Sequence, residues 1–205
     1  MGVRGAALLV LFALVTWQVA ARGPLLARDV TLAARLRSGG LPDGAVELLA
    51  DLGSVAVVLP VLVLVAGWAG WRARTAGVVR WWAGPAAALM LLAVVPLLVV
   101  PLKAWIARPG PPSMAGTGFY PSGHTATAVV GYGAAVLLVS PWVRGAWPRR
   151  WLVVGCLVLN AGVGYGLVRR GYHWPLDVVG SWALFGALLV GSALWWRGRG
   201  GPPDG

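Results

Sequence analysis

The sequence predicts an all-α fold, an integral membrane bundle of six transmembrane helices that forms a single domain over residues 1–205. Three observations lead to this prediction. The mean hydropathy is +0.77, far above that of a soluble globular chain. Hydrophobic residues make up 59% of the chain and charged residues only 11%. Several apolar runs reach the ~20 residues that cross a bilayer core, and a chain of this length could not bury them all in water.

We expect the spans at the apolar runs near residues 5–21, 53–70, 82–102, 122–139, 151–168 and 177–196. Arg4 followed by an apolar stretch ending in QVAA also fits a cleaved signal peptide, but we favour a retained first span. The single cysteine, Cys156, lies inside the fifth run, which excludes an internal disulfide and cysteine-pair metal sites.

The connection between the first two spans, residues 22–52, contains an amphipathic stretch. One face of this stretch carries Arg28, Thr31 and Arg35, and another carries Leu26, Val30 and Ala33. An interfacial helix and an ordinary solvated connection fit this pattern equally well.

The distribution of charge predicts how the bundle lies in the membrane. The loops after spans two and four carry only basic charges, at Arg72, Arg74, Arg80, Arg144, Arg149 and Arg150. The positive-inside rule places these loops on the cytoplasmic side, with Arg4 and the tail arginines Arg197 and Arg199. Nine basic residues then lie inside and eight outside, so the orientation rests on the absence of acids from the short inside loops. Tryptophans at the inner span ends are typical of an aromatic belt: Trp81, Trp82, Trp142, Trp147, Trp195 and Trp196.

The net charge of +11 suits anionic lipid headgroups better than nucleic acid. Nucleic-acid binding would require a basic run interleaved with exposed aromatic residues in a soluble region, and no such run occurs there, because the arginines and tryptophans of the inner loops lie at span ends. We therefore expect membrane lipids as partners, and a multi-pass protein of the plasma membrane. The sequence does not indicate an oligomeric state.

Two of the predicted outward loops, 103–121 and 169–176, together with the span starts that follow them hold most of the chemistry-bearing residues. KAWIARPGPPSMAGTGFYPSGH runs from Lys103, the only lysine, to His124, and RRGYHWPLD contains the other histidine, His173. Spans three to six connect these segments, so a compact bundle brings them together at one face. As single residues, Lys103 and Arg108 are also explained by snorkelling to headgroups.

The PSGH segment has two interpretations. A hydroxyl and backbone amides at a helix N-terminus form an anion site, which would involve Ser122 and Gly123. Alternatively, Ser122 is an ordinary N-cap and His124 lies in the first turn.

His173 and Asp177 also have two interpretations. Asp177 is either an acid that caps the last span or the hydrogen-bond acceptor that leaves the second nitrogen of His173 available for attack. Taken together, the residues of the two segments favour a catalytic site over the purely structural interpretations. Cations, a hydroxyl and amides suit phosphate, and two histidines offer a nucleophile and a general acid. The sequence has no cluster of carboxylates that could hold a metal ion, so we expect a reaction without metal or cofactor.

The motifs resemble those of the type 2 phosphatidic acid phosphatase (PAP2) family, which is related to the vanadium haloperoxidases. That family carries K-x6-R-P, then P-S-G-H, then S-R-x5-H-x3-D. Here Pro121–His124 is intact and His173-x3-Asp177 is intact, and the likeness covers about residues 50–196. The resemblance implies that His173 attacks phosphorus, Asp177 orients it and His124 protonates the leaving oxygen. The phosphate ligands would be Lys103, Arg108, Ser122, Gly123 and Arg169 or Arg170.

Both motif arginines are absent from their usual positions. Gly110 stands at the first, before Pro111, and Leu167 at the second, with Gly166 in place of the serine. The nearest arginines are Arg108, two residues early, and Arg169 and Arg170, two and three residues late. Position 170 shares a helical face with 167 better than 169 does, but Gly171 predicts that the helix ends there.

The predicted function is removal of phosphate from a lipid phosphate or diphosphate at the outer side of the membrane, through a phosphohistidine. Polyprenyl diphosphate, phosphatidic acid and phosphatidylglycerol phosphate are the candidate substrates, with cell-envelope lipid recycling as the context. The alternatives are a lipid phosphotransferase on the same fold and a weakened lipid-binding protein that lacks the arginines. A transporter is disfavoured because ionisable residues lie mostly at span ends. A haloperoxidase is disfavoured because six spans suit a lipid substrate.

Overall fold

A computed structural model of the chain describes the backbone of residues 2–197 and the side chains of residues 2–194. The predicted belt residues Trp195 and Trp196, the side chain of Arg197, and Arg199 therefore lie outside the described side chains. The described residues form α1 (Val3–Ala20), α2 (Leu25–Arg37), α3 (Asp43–Asp51), α4 (Val55–Thr75), α5 (Ala83–Ile106), α6 (Gly123–Val139), α7 (Ala146–Arg169) and α8 (Pro175–Arg197). A short 3₁₀ helix, Ser140–Trp142, follows α6.

The six predicted spans are confirmed as six long apolar helices, α1 and α4 to α8. Their length and composition suffice to cross a membrane, and the chain is a multi-pass membrane protein. Many large apolar side chains on them are exposed, among them Leu64 at 74% and Leu97 at 70%. Such side chains are expected to face lipid, since the bilayer is as apolar as they are.

Helix α6 is the central helix of the bundle and packs against α4, α5, α7 and α8. Over its most apolar window 56% of the residues are buried, compared with 22% for α5. Small residues allow this close packing: a Cβ at Gly131 would lie 2.0 Å from Val58, and one at Gly133 would lie 2.3 Å from Leu189. The helix that begins with PSGH is therefore held on all sides.

The connection between α1 and α4 is more structured than the sequence predicted. It forms two helices at one end of the bundle: α2 packs against α7 and α8, and α3 packs against α7. The predicted polar face of α2 is exposed, at Arg28, Thr31 and Arg35. On the predicted apolar face, Ala33 is buried and Val30 is 50% exposed. Asp29, one turn before Ala33, is buried with it and is 4% exposed.

The opposite end of the bundle carries the predicted tryptophans. Trp82 is the residue before α5, and Trp147 is 69% exposed at the start of α7. The guanidinium of Arg72 lies 5.2 Å from the Trp142 ring, and that of Arg74 lies 5.7 Å from the Trp81 ring. Amphipathic tryptophans paired with arginines suit a membrane interface.

Candidate active site

His173 and Asp177 form a buried pair at the start of α8. The imidazole Nδ1 lies 3.1 Å from Asp177 Oδ2, and the two residues are 7% and 0% exposed. The same oxygen accepts a hydrogen bond from the backbone amide of Trp174 at 3.0 Å. Asp177 thus fulfils both interpretations of the sequence, because it caps the helix and bonds the histidine. With the proton on Nδ1, the Nε2 lone pair is available to a substrate.

The end of α7 sets the position of His173. The helix ends at Arg169 and Arg170, and Gly171 follows with φ of 74°, as the sequence predicted. The amides of Tyr172 and His173 then both donate to the carbonyl of Leu167, at 2.9 and 3.3 Å. A side chain at position 171 would also meet Ser113 Oγ at 2.4 Å, so glycine is required there on two grounds.

The PSGH segment begins α6 and is bonded to α8. Ser122 is fully buried, and its hydroxyl accepts a hydrogen bond from the amide of Thr125 at 3.3 Å, which makes it the N-cap. The Ser122 amide donates to the carbonyl of Asp177 at 3.2 Å, and Ser181 Oγ donates to the carbonyl of Ser122 at 2.8 Å. The start of α6 and the first turn of α8 therefore form one hydrogen-bonded unit.

His124 and Lys103 lie at the same end of the bundle as this unit. His124 lies within electrostatic range of His173, Lys103 and Asp51, and Lys103 lies within range of Asp177. Gly53, between α3 and α4, allows the close approach that supports His124, because a Cβ there would lie 2.9 Å from the His124 carbonyl. Gly123 and His124 open α6, so their amides have no acceptor within the helix. Together these groups form a polar cluster where an anion can bind.

Arg108 contacts this cluster through Asp177. Its Nη1 donates to Asp177 Oδ1 at 2.5 Å, and its Nη2 donates to Oδ2 of Asp29. Asp29 was missed from the sequence, although it is three residues after Leu26 and four before Ala33 on one helical face. Burial raises the pKa of Asp29 above its usual range, and the hydrogen bond from Arg108 opposes this rise.

The loop between α5 and α6, residues 107–122, is fixed at both ends. The amides of Gly118 and Phe119 donate to the carbonyl of Arg108 at 2.9 and 3.1 Å, and Pro109 pairs with Thr117 as an antiparallel bridge. The Phe119 ring packs edge-on against His173, with ring centroids 5.8 Å apart. The loop therefore forms one wall of the polar cluster, while its tip, residues 112–116, is exposed.

The model of the PAP2 superfamily matches residues 54–200, which is more than half of the chain. The chain belongs to the PAP2 superfamily. Over 65 residues it is 35% identical to an undecaprenyl-diphosphatase of Sulfolobus acidocaldarius, and this match covers 32% of the chain and 27% of that protein. Its fold is similar to that of a transmembrane PAP2-type phosphatidylglycerolphosphate phosphatase from Bacillus subtilis. That match has a TM-score of 0.82 and 20% identity, and covers 99% of this chain and 100% of the other.

The structure explains why the two PAP2 motif arginines are replaced. A Cβ at Gly110 would lie 2.7 Å from the Phe119 ring and 2.8 Å from the Met114 carbonyl, so no side chain fits. Leu167 is 1% exposed and packs in the apolar core. A Cβ at Gly166 would lie 2.6 Å from the amide nitrogen of Ala50 in α3, which excludes the serine of the PAP2 motif.

Arg169 and Arg170, the predicted substitutes, contact the region of α3. Arg169 Nη2 donates to the carbonyl of Gly39 at 2.8 Å, and Arg170 Nε lies 2.5 Å from Glu47 Oε2. Both guanidinium groups also lie within 4.0 Å of Asp43. Their assignment as phosphate ligands stays a prediction.

Arg37, at the end of α2, is a further cation that the sequence reasoning missed. Its guanidinium lies 5.5 Å from the Trp174 ring, next to His173 in the chain. Its Nε and Nη2 are buried and have no hydrogen-bond partner in the described part of the chain. Arg37 is the last residue of an amphipathic helix, a position that is usually exposed, so the sequence did not indicate its contact with Trp174.

The donor set does not suggest a metal centre. Among residues 2–197 there is no group of three or more histidine, cysteine or carboxylate side chains that could hold a metal ion. The expectation of a reaction without metal or cofactor stays a prediction.

Proposed function

We propose that this PAP2 protein is a phosphatase that acts on a lipid phosphate or lipid diphosphate. The observation that carries the proposal is the buried His173–Asp177 pair, with Nδ1 and Oδ2 3.1 Å apart, beside Lys103 and His124 at one end of a membrane bundle. A neutral imidazole fixed by a carboxylate is suited to nucleophilic attack.

In the first proposed step, Nε2 of His173 attacks phosphorus and the bond from phosphorus to the leaving oxygen breaks. His124 donates a proton to that oxygen, and Asp177 stabilises the positive charge that develops on the His173 ring. In the second step, a water oxygen attacks the phosphohistidine while His124 accepts its proton. The phosphorus–nitrogen bond breaks, inorganic phosphate leaves and His173 is regenerated.

Lys103 and the first amides of α6, from Gly123 and His124, are the proposed phosphate ligands, with Ser122 fixing the helix start. A helix N-terminus favours an anion through its exposed amides and its dipole. Arg108 was also predicted as a ligand. Because both of its terminal nitrogens bind carboxylates, we assign it instead to the support of Asp177.

A lipid substrate fits a site that adjoins apolar, exposed helices. Trp105, in the last turn of α5, is 73% exposed, and so the end of α5 that carries Lys103 also carries lipid-facing surface. Polyprenyl diphosphate, as in the name of the S. acidocaldarius relative, and phosphatidylglycerol phosphate, as in that of the B. subtilis structure, are the first candidates. Phosphatidic acid is the third. Acid-free inner loops support an outward-facing site. Labelling of a cysteine introduced at the exposed Ala115 in a Cys156→Ala background, with an impermeant reagent, tests this side.

The test is release of phosphate from these three lipids by protein purified in detergent, with and without EDTA. The parent is expected to release phosphate from at least one lipid, unchanged by EDTA, and His173→Ala to be slower by about 10³-fold or more. A radioactive phosphate label quenched in alkali should appear on the parent and not on His173→Ala. Gly155→Ala, whose added Cβ meets nothing within 4 Å, is the matched control and should keep parental activity.

Release by His173→Ala at the parental rate would exclude His173 as the nucleophile. A labelled parent that passes phosphate to an added alcohol faster than to water would indicate a phosphotransferase instead. Binding of lipid phosphate without any turnover would favour the second candidate, a lipid-binding protein. The burial of Leu167 and the filled space at Gly110 are the observations that favour this candidate.

A further inference from the structure

We propose that Asp29, on α2, is a positioning residue for the reaction: acting through Arg108, it sets how Asp177 holds His173. This inference rests on the proposed function for its kinetic consequence, because it concerns the same site. None of the PAP2 motifs lies in α2, because α2 precedes the residues that the family model matches.

The geometry is a continuous chain of hydrogen bonds. Asp29 accepts from Nη2 of Arg108, and Nη1 of the same guanidinium donates to Oδ1 of Asp177 at 2.5 Å. The other oxygen of Asp177 lies 3.1 Å from Nδ1 of His173. A guanidinium is planar and its two terminal nitrogens are fixed relative to each other, so the position of one carboxylate fixes the direction offered to the other.

Asp29 is also bonded to the helix that carries Asp177. Its Oδ1 accepts from the backbone amide of Leu176 at 2.8 Å, in the first turn of α8. That amide has no acceptor within the helix, so the carboxylate from α2 acts as a cap supplied by another element. Asp29 thus contacts both the backbone beside Asp177 and the cation bound to it.

The charges in this chain are buried and therefore act strongly on one another. The side chains of Asp29 and Asp177 are 0% exposed and that of Arg108 is 6% exposed. A single guanidinium shared by two carboxylates gives each of them only part of its charge. Without Asp29, the full charge of Arg108 would act on Asp177 and reduce the negative charge that His173 experiences.

Other charged or titratable groups also face the pair. Lys103 from α5 interacts with Asp177, and His124 from α6 interacts with His173. Tyr120 interacts with both Asp177 and Arg108, but burial raises its pKa to about 12, so it stays neutral near pH 7. Asp29 is therefore the carboxylate that offsets Arg108 on the side away from Asp177.

The reaction makes this balance important. Attack by Nε2 places a positive charge on the His173 ring, which Asp177 must stabilise in the transition state. Removing the charge of Asp29 weakens that stabilisation, and it lowers the pKa of His173 because protonation is also disfavoured. The acid limb of the kcat/KM profile, which reports protonation of the nucleophile, should move to lower pH.

The test compares the parent with Asp29→Asn, which keeps the shape and the acceptor for Leu176. We expect kcat to fall about tenfold, as for loss of an outer partner of an active imidazole. KM should change less than about twofold, and the acid limb should move down by about half a pH unit. Asp43→Asn, the same change at a carboxylate whose side chain is 74% exposed, is the matched control and should match the parent in all three values.

A second readout does not require turnover. The chain has only two histidines, so NMR of protein labelled with ¹⁵N-histidine shows the ring nitrogens of two imidazoles, which His124→Gln assigns. Asp29→Asn should lower the pKa of His173. Asp29→Asn/Arg108→Gln should return it towards the parental value, because the uncompensated guanidinium is then also gone. This double variant also serves if Asp29→Asn alone does not fold.

A folded Asp29→Asn with parental kcat, acid limb and His173 titration would overturn the inference and leave Asp29 as a cap only. The same holds if the double variant shifts the His173 pKa as much as the single one. If the parent releases no phosphate from any lipid, the proposed function fails, whereas the titration still decides whether Asp29 acts on His173.

Discussion

The two halves of residues 169–177 contact different parts of the molecule. His173 and Asp177 bond to each other and face the start of α6, whereas Arg169 and Arg170 extend to Gly39, Asp43 and Glu47 near α3. Residues 173–177, which match the family pattern, do so through contacts within one turn. The arginines depend on which element packs beside them, and here that element is α3.

This contrast separates two kinds of inference from a motif. A four-residue spacing at a helix start brings two side chains together whatever surrounds them. A long arginine side chain binds whichever carboxylates the fold brings near, and α3 places two of them there. The motif therefore predicts the contact between His173 and Asp177 better than it predicts where the arginines of this protein lie.

The largest expected effect comes from breaking the dyad. Asp177→Asn removes the charge that stabilises the His173 ring, and kcat should fall by about 10²- to 10³-fold, by analogy with other imidazole–carboxylate pairs. Phosphate release at saturating lipid measures this. Ser192→Ala, later on the same helix and bonded only to the Leu188 carbonyl, is the control. A fall of less than threefold would show that Asp177 serves α8 rather than catalysis.

The next effect concerns the missing motif arginine. Leu167→Arg restores the family residue, but it places a charge at a position that is 1% exposed and packed in the core. We expect the free energy of unfolding in detergent to fall by about 3 kcal/mol or more, without a gain in activity. Leu167→Met, which conserves volume, should cost less than about 1.5 kcal/mol. A stable Leu167→Arg with faster phosphate release would instead mean that position 167 reaches the phosphate.

The smallest effect is expected at Arg170. Its side chain is 33% exposed and paired with Glu47, so Arg170→Ala should change KM and kcat by less than about threefold. Lys103→Ala, measured in parallel, should raise KM by a much larger factor, because Lys103 is a proposed phosphate ligand. If Arg170→Ala raises KM as much as Lys103→Ala does, the arginine end of residues 169–177 also binds phosphate and the contrast disappears.

Most of the fold could be predicted from the sequence. Length and apolarity alone identify the six spans, because a bilayer requires about 20 apolar residues in each. The pair of helices between the first two spans could not be predicted as such, since α2 and α3 are stabilised by packing on α7 and α8. The burial of Asp29 on α2 could not be predicted for the same reason, because a buried acid is explained only by its partner Arg108.

The candidate site divides in a similar way. Ser122, His124, His173 and Asp177 were identified because their motifs are short and lie at helix starts, where local geometry sets the side-chain positions. The partners of Arg108 were not identified, since Asp29 is 79 residues away in the chain. Arg37 was missed for the same reason, because its contact with Trp174 depends entirely on how α2 packs.

The loop between α5 and α6 has a consequence for protein engineering. Both of its ends are bonded to Asp177, one through the side chain of Arg108 and the other through the amide of Ser122. Its exposed tip, residues 112–116, lies between the bridged residues Pro109 and Thr117, and Ser113 in it donates to the carbonyl of Gly171 at 2.7 Å. Lengthening a loop beyond fixed ends costs little free energy. Segments of different length could therefore be grafted at residues 114–116 to alter which headgroups enter from the water, with the bond from Ser113 to Gly171 left in place.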